Sequence, residues 1–241
     1  MAKGNWRDTL DRKLLNILKK DGVEAFLQTA IAMLGVDPKG DNKLKAQFVG
    51  EVCEIVYWGL TQKYLEATGR KAKLFHSVVL KDLYNPKSDF RTECDFVLCA
   101  PEFFMTTECK SYAGCIEITK AGTLKHRGNE SDVYRQSKLH YDKLCLYAEQ
   151  LILPRAGVSR PPVNGNVFLF SNAKVTDLRS PADRSKISIL TASTWFNYLD
   201  RVFQNYRKPV YDYERACKVF KACSASKALH AQHGEYVGYS D

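Results

Sequence analysis

Apolar residues recur at helical spacing over 5–20 (Leu10, Leu14, Leu15, Leu18) and again over 22–35 (Val23, Phe26, Leu27, Ile31, Leu34), which predicts two short helices. Asp8 is placed to cap the first, and Gly35 fits the end of the second. The polar linker DPKGDNK separates them from a longer helical stripe at about 44–67, built on Phe48, Val52, Ile55, Val56, Gly59 and Leu60 and closed by Gly69. The period then changes. KLFHSVVLKDLY reads as a strand and NPKSDFRTE as a loop with an Asn85-Pro86 turn signal. Two further strands follow at about 93–99 and 103–111, then a short one at 114–119. AGTLKHRGNES reads as a basic, glycine-bearing loop, after which Ser131 or Asp132 caps a helix running to about 151. LPRAGVSRPPVNGN is a connection, and VFLFSNA is a short apolar run typical of a strand covered on both faces. Helices are expected at 193–206 and 211–223, and the tail beyond them has little periodicity.

This order of elements predicts an α/β fold in which helices flank a mixed β-sheet. It divides into an N-terminal helical extension (1–40), a sheet-bearing domain (44–210) and a C-terminal helix and tail (211–241). A hydrophobic share of 45% with 26% charged residues is ordinary for a soluble globular chain and adds little. Charge adds more: 36 Lys and Arg against 27 Asp and Glu leave +9, which favours a polyanionic partner. The eight cysteines contain no C-x-x-C spacing and no histidine pair that completes a zinc pattern, so reduced thiols packed as small hydrophobes are expected. MAKGNWRDTLDRK lacks the apolar stretch of a secretory signal, and AFLQTAIAMLGV is too short to span a bilayer. No membrane partner and a cytoplasmic location are expected.

Candidate chemistry sits in TECDFVLCAPEFFMTTECKSYAG, where acids interrupt what otherwise reads as a buried hairpin. With the turn centred on Pro101 and Glu102, Asp95 stands across from Glu108, and such cross-strand pairs hold their Cβ atoms roughly 4.5–5.5 Å apart. Alternation puts Lys110 on the face of Glu108 and turns Cys109 to the other. Two adjacent carboxylates repel, and a divalent cation compensates: Mg²⁺ takes one or two carboxylates together with waters and phosphate oxygens. The backbone carbonyl of Cys109 is available as a further oxygen ligand. Lys110 beside that cation could position or deprotonate a water, or stabilise charge on phosphorus. The same spacing also describes a solvated face on which Lys110 is the salt-bridge partner of the acids.

Asp95, a gap of twelve residues and then ECK resembles the D-(x)n-(D/E)-x-K core of the PD-(D/E)XK, restriction-endonuclease-like nuclease superfamily. GEVCEIVYWGL, ECDFVLCAPEFFMTTECKSYAGCI, YRQSKLHYDKL, VFLFSNAKVTDL and ILTASTWFNYL occur in the order of its nuclease-related domain (NERD) family, so the resemblance spans about 45–202. It implies a restriction-endonuclease-like core and assigns roles by position. Asp95 is then the principal metal ligand, Glu108 the second and Lys110 the catalytic lysine. Glu51, in GE, is the upstream acid that supports the metal, with Glu54 competing for that place. Gln136 matches the glutamine near the active site, and Tyr112 and Gly114 match the K-x-Y-x-G that follows the lysine. Cys94 stands where many superfamily members carry proline.

The resemblance implies a Mg²⁺- or Mn²⁺-dependent nuclease that nicks or cuts DNA. A non-cleaving nucleic-acid-binding module on the same fold and an RNA-directed nuclease are the alternatives, and residues 1–40 are a candidate surface for a homodimer or a docked partner. Lys120, Lys125, His126, Arg127, Arg135, Lys138 and Lys143 form a basic run after the hairpin, which reads as a solvated face or as a groove for a nucleic-acid backbone. His140, four residues after Gln136, is expected at the surface or on a phosphate.

Overall fold

The computed structural model describes residues 42–85, 90–112, 115–152, 162–169 and 174–224, with positions 17, 20, 21 and 25. The predicted helices at 5–20 and 22–35 otherwise lie outside the described residues, although the four described positions are helical and Ile17 packs on the main core. The first full element is α1 (Asn42–Thr68), followed by β1 (Lys73–Lys81), β2 (Arg91–Cys99) and β3 (Phe104–Lys110). A small set comes next: β4 (Ile116–Ile118), β5 (Leu124–His126) and β6 (Asn129–Ser131). The chain continues through α2 (Val133–Gln150), β7 (Val163–Leu169), β8 (Val175–Asp177), α3 (Pro181–Lys186), β9 (Ile187–Thr191), α4 (Ala192–Asn205) and α5 (Tyr213–Cys223).

The principal sheet has five strands in the order β1-β2-β3-β7-β9. The first two pairings are antiparallel and the last two parallel, so the sheet is mixed as expected. β3 lies at its centre and is buried from Phe104 to Cys109, which explains a sequence with apolar residues on both faces. Met105 and Cys109 point into one core, shared with Val52, Ile55, Tyr57 and Leu60 of α1 and Trp195, Leu199 and Phe203 of α4. Phe104 points into the other, shared with Leu144, Tyr147 and Ala148 of α2 and Ala216 and Phe220 of α5. Thus α1 and α4 cover one face while α2 and α5 cover the opposite one. Trp195 is fully buried and donates its indole N–H to Thr61 Oγ1 at 3.1 Å, so its polar atom is satisfied as burial requires.

The second sheet, β6-β5-β4-β8, branches off directly after β3 and packs Ile116, Ile118 and Leu124 against Val167, Leu169 and Ile187. Here the structure corrects the expected loop over 121–131, which forms a hairpin of β5 and β6. Its two-residue turn, Arg127-Gly128, has φ of 49° and 78°, the left-handed values that the tight turn between twisted strands needs. Glycine meets that demand freely, arginine less so. The strand expected at VFLFSNA starts earlier, at Val163, inside what reads as a connection. Strands β8 and β9 and the short α3 were not anticipated; Ser180 caps α3 by accepting from the Asp183 N–H, with Pro181 at its first turn. All eight cysteines are free thiols. Among the described residues, no helix is long and apolar enough to cross a membrane.

The segment set apart as 211–241 contributes to the core through its described part. Tyr211 stacks on Phe104 with ring centroids 3.9 Å apart, and Phe220 meets both Phe104 and Phe75. Phe220 is fully buried. Replacing it with alanine is expected to cost about 3–5 kcal/mol in urea unfolding, the range for a large core aromatic. A loss under about 1 kcal/mol would mean that α5 is only an appendage to the sheet.

Candidate functional site

The β2–β3 ladder runs from Cys99↔Phe104 to Phe96↔Thr107, in the register that sets Asp95 across from Glu108. The turn is closed by Ala100 N–H on the Phe103 carbonyl at 3.0 Å, as the Pro101-Glu102 reading requires. The ladder nevertheless stops one pair short of the acids. Ser77 and Asp95 are also missing from the β1–β2 ladder, which holds His76↔Phe96 on one side and Val78↔Cys94 on the other. Ser77 explains the gap: its φ of 50° is a left-handed conformation that an L residue adopts at a cost of order 1–3 kcal/mol. Side-chain alternation changes phase at this row. Phe75 and Val78 share one core although three residues apart, as do Cys94 and Val97.

The break redirects Asp95. Cys109 N–H donates to Asp95 Oδ2 at 2.7 Å instead of entering the ladder. Hydrogen-bonding residues alternate along an antiparallel strand, and Phe103, Met105 and Thr107 turn their amide groups toward β2. The Cys109 carbonyl therefore faces the same opened edge as its N–H, beside Asp95.

Glu108 is on the α2 side and only 1% exposed. Lys110 Nζ donates to its Oε1 at 2.5 Å, and His140 Nδ1 lies 3.3 Å from its Oε2, an ion-pair distance without hydrogen-bond alignment. Burial raises the Glu108 pKa, but His140 and Lys110 more than offset it, so its carboxyl sits below the ordinary glutamate value. Asp95 goes the other way. Burial holds its pKa well above the ordinary value, the charges of Glu108 and Glu54 add to that, and Lys110 and the Cys109 N–H oppose it. Burial lowers the Lys110 pKa, yet Glu108 and Asp95 raise it further, so the ammonium stays protonated. From the α1 side, Glu54 Oε2 is 2.7 Å from His76 Nε2, the ring that precedes the strained Ser77. The end of the hairpin thus holds Asp95 on the Cys109 N–H and Glu108 on the Lys110 ammonium, outside the regular ladder in which a cross-strand pair was expected.

The sequence profile of the nuclease-related domain (NERD) family matches residues 58–170, a span that includes Asp95, Glu108, Lys110 and the whole of α2. Residues 58–170 are a nuclease-related domain. No curated protein and no solved structure matches the chain. The match begins beyond Glu51 and Glu54. Glu51 lies in α1, but its side chain is outside the described residues, whereas Glu54 is placed within electrostatic reach of Asp95.

In the NERD domain, Gln136 is exposed on the first turn of α2, one helical turn before His140. His140 corrects the surface reading: it is 1% exposed and set against Glu108. The signal for this was present, since Val133, Ser137, His140, Leu144 and Tyr147 form one buried stripe of the helix. Tyr112 reaches the β5–β6 hairpin, with its hydroxyl 3.2 Å from Ser131 Oγ and its ring 5.3 Å from that of His126; Gly114 lies outside the described residues. The basic run is divided between that hairpin and α2, and much of it is matched by acids: Lys125 with Glu130, Arg135 with Asp132, Lys138 with Asp142 and Lys143 with Asp82. Among the described residues no three His, Cys, Asp or Glu side chains form a metal cage. The donor set at the hairpin is instead two carboxylates and a carbonyl, all hard oxygens of the kind Mg²⁺ or Mn²⁺ takes with water.

Two substitutions check this site. Ser77→Gly is expected to hold stability or raise it by up to about 1 kcal/mol, because glycine adopts positive φ freely. Ser77→Val should lose about 1–3 kcal/mol in the same denaturant titration. Asp95→Asn keeps an acceptor for the Cys109 N–H but removes the buried charge. Because the folded pKa of Asp95 lies above its unfolded value, wild type carries a deficit that sets in as pH rises through the unfolded value and is complete above the folded one. Asp95→Asn should therefore raise Tm at pH 7 by roughly 2–4 °C, about 1 kcal/mol, and the gain should shrink as pH falls below the ordinary aspartate range.

Proposed function

We propose that this protein is a Mg²⁺- or Mn²⁺-dependent nuclease that hydrolyses phosphodiester bonds of DNA, acting internally as an endonuclease or nickase. The observation that carries this reading is the convergence of Asp95, Glu108, Lys110 and the Cys109 main chain at the opened end of the hairpin, inside a nuclease-related domain. Asp95, Glu108 and the Cys109 carbonyl are the groups that would hold the cation, with an acid of α1, Glu51 or Glu54, in support. A cation bound there supplies Lewis-acid polarisation of a phosphoryl oxygen and acidifies a bound water. Lys110, kept protonated by its acidic neighbours, serves as a fixed positive charge for the pentacovalent phosphorane rather than as a base. Glu108 is held in place from both sides, by Lys110 and by His140. The excess of +9 over the chain favours the polyanionic substrate, and Gln136, exposed one helical turn before His140, is available to contact it.

Supercoiled plasmid incubated with Mg²⁺ or Mn²⁺ should be nicked and then linearised, and a chelator should stop the reaction. Lys110→Ala and Asp95→Ala should each lower the rate by at least about 100-fold. Undiminished cleavage by Lys110→Ala would remove this reading. DNA binding without turnover under any metal would return the fold to a binding module, and cleavage confined to RNA would change the polymer but keep the site.

A further inference from the structure

The loop that joins β1 to β2 carries large aromatic surface that the site described above does not use. Tyr84 is 74% exposed and Phe90 is 42% exposed, values that rank first and third among the large exposed hydrophobics of the described residues. Much of each ring is therefore open to solvent. Tyr84 is nevertheless fixed at its backbone: its N–H donates to Asp82 Oδ1 at 3.0 Å, and the Asn85 N–H reaches the same oxygen at 3.4 Å.

A chain of contacts ties this loop to the carboxylate site. Asp82 Oδ2 pairs with Lys143 Nζ at 3.7 Å, and that same ammonium lies over the Phe90 ring, 5.1 Å from its centroid. Lys143 is three residues from His140 on α2, close enough for the two to be neighbours on the helix surface. His140 in turn lies against Glu108. Along the strand, Phe90 precedes Asp95 by five residues, about 16 Å of extended chain. The β1–β2 hairpin also outruns β3 at this end, because Val78–Lys81 pair with Arg91–Cys94 beyond the last rung of the β2–β3 ladder. Lys81 and Arg91 face one another at its end, both exposed, and outweigh the exposed Glu93.

We infer that Tyr84 and Phe90, flanked by Lys81, Arg91 and Lys143, are a stacking platform that binds single-stranded nucleic acid beside the cleavage site. The inference rests on the nuclease reading for its substrate and deepens it by choosing the strand state. Protruding rings offer π-faces to bases, and only an unpaired strand presents base faces to receive them; in a duplex those faces are stacked on one another. Lys81 and Arg91, both exposed, are placed for the backbone of the same strand, while Lys143 holds Phe90 and Asp82. Stacking of this kind tolerates any base, so the platform selects strandedness rather than sequence.

The test measures binding in the presence of a chelator, so that it does not depend on cleavage. Fluorescence anisotropy is read with a labelled single-stranded oligonucleotide, with the same sequence as a duplex, and with an abasic strand of equal length. Wild type should prefer the single strand over both by about tenfold or more. Tyr84→Ala and Phe90→Ala should each weaken single-strand binding by about tenfold and leave the abasic strand within twofold. Phe90→Leu keeps the apolar volume against Lys143 and removes the ring, so a loss there is not a loss of folding; circular dichroism and Tm verify that each variant is folded. Equal affinity for duplex and single strand, or losses that are the same with and without bases, would overturn the platform. The nuclease reading would survive that outcome, because it stands or falls on metal-dependent cleavage and on Lys110.

Discussion

The site exists because the sheet is not continuous. If the ladders of β1, β2 and β3 ran unbroken through Ser77, Asp95 and Glu108, the Cys109 N–H and C=O would be spent on β2. The left-handed Ser77 removes that pairing at one row, and the Asp95 carboxylate takes over the Cys109 N–H. One strained residue on a neighbouring strand thus converts a stretch of regular backbone into an opened edge with an acid and a carbonyl turned to it. Strain of this order persists only where the surroundings fix it. Here the surroundings are two aromatic cores, one around Tyr57, Phe96 and Trp195 and one around Phe104, Tyr211 and Phe220, that clamp the sheet from both faces.

The two faces deliver different groups to that edge. From α1 and β1 come Glu54 and His76, joined at 2.7 Å. From α2 comes His140, buried against Glu108, which shares its face of β3 with Lys110. Central placement of β3 makes these partnerships obligatory. A carboxylate 1% exposed at the middle of a five-stranded sheet carries a desolvation cost that one partner rarely offsets. Lys110 and His140 are therefore as much conditions for Glu108 being there as participants in any chemistry.

Much of this was legible in the sequence where it depended on short-range rules. The hairpin register followed from Pro101 and Glu102 and from strand alternation, and it held from Phe96 to Cys99. The resemblance carried by ECK and its flanking segments placed the domain that the family match covers. Ser77 gave no signal, because serine is not a residue from which positive φ is inferred. Strands β8 and β9, of three and five residues, were too short for periodicity to register, and their pairing with β4 and β7 is parallel and distant in sequence. The β5–β6 hairpin turns on Arg-Gly rather than the Asn-Gly that marks such turns. His140 was readable from the buried stripe of α2, but its charge argued for solvent, and tertiary context decided otherwise.

The two acids are equivalent in the sequence motif and opposite in their physics. Glu108, deeper, has its proton affinity lowered by two nitrogen partners and remains a carboxylate through the whole neutral range. Asp95, nearer to solvent, accepts the Cys109 N–H; burial and the repulsion of Glu108 and Glu54 raise its proton affinity. Environments that separate the proton affinities of neighbouring acids also separate their tasks. In the proposed reaction Glu108 with Lys110 is the preset, already balanced part of the site. Asp95 is the part whose charge is unbalanced until a cation or a proton meets it. That imbalance is a cost to the fold, and in the proposed reaction it is what would favour a cation at Asp95, on the opened edge, over Glu108, already neutralised in the core.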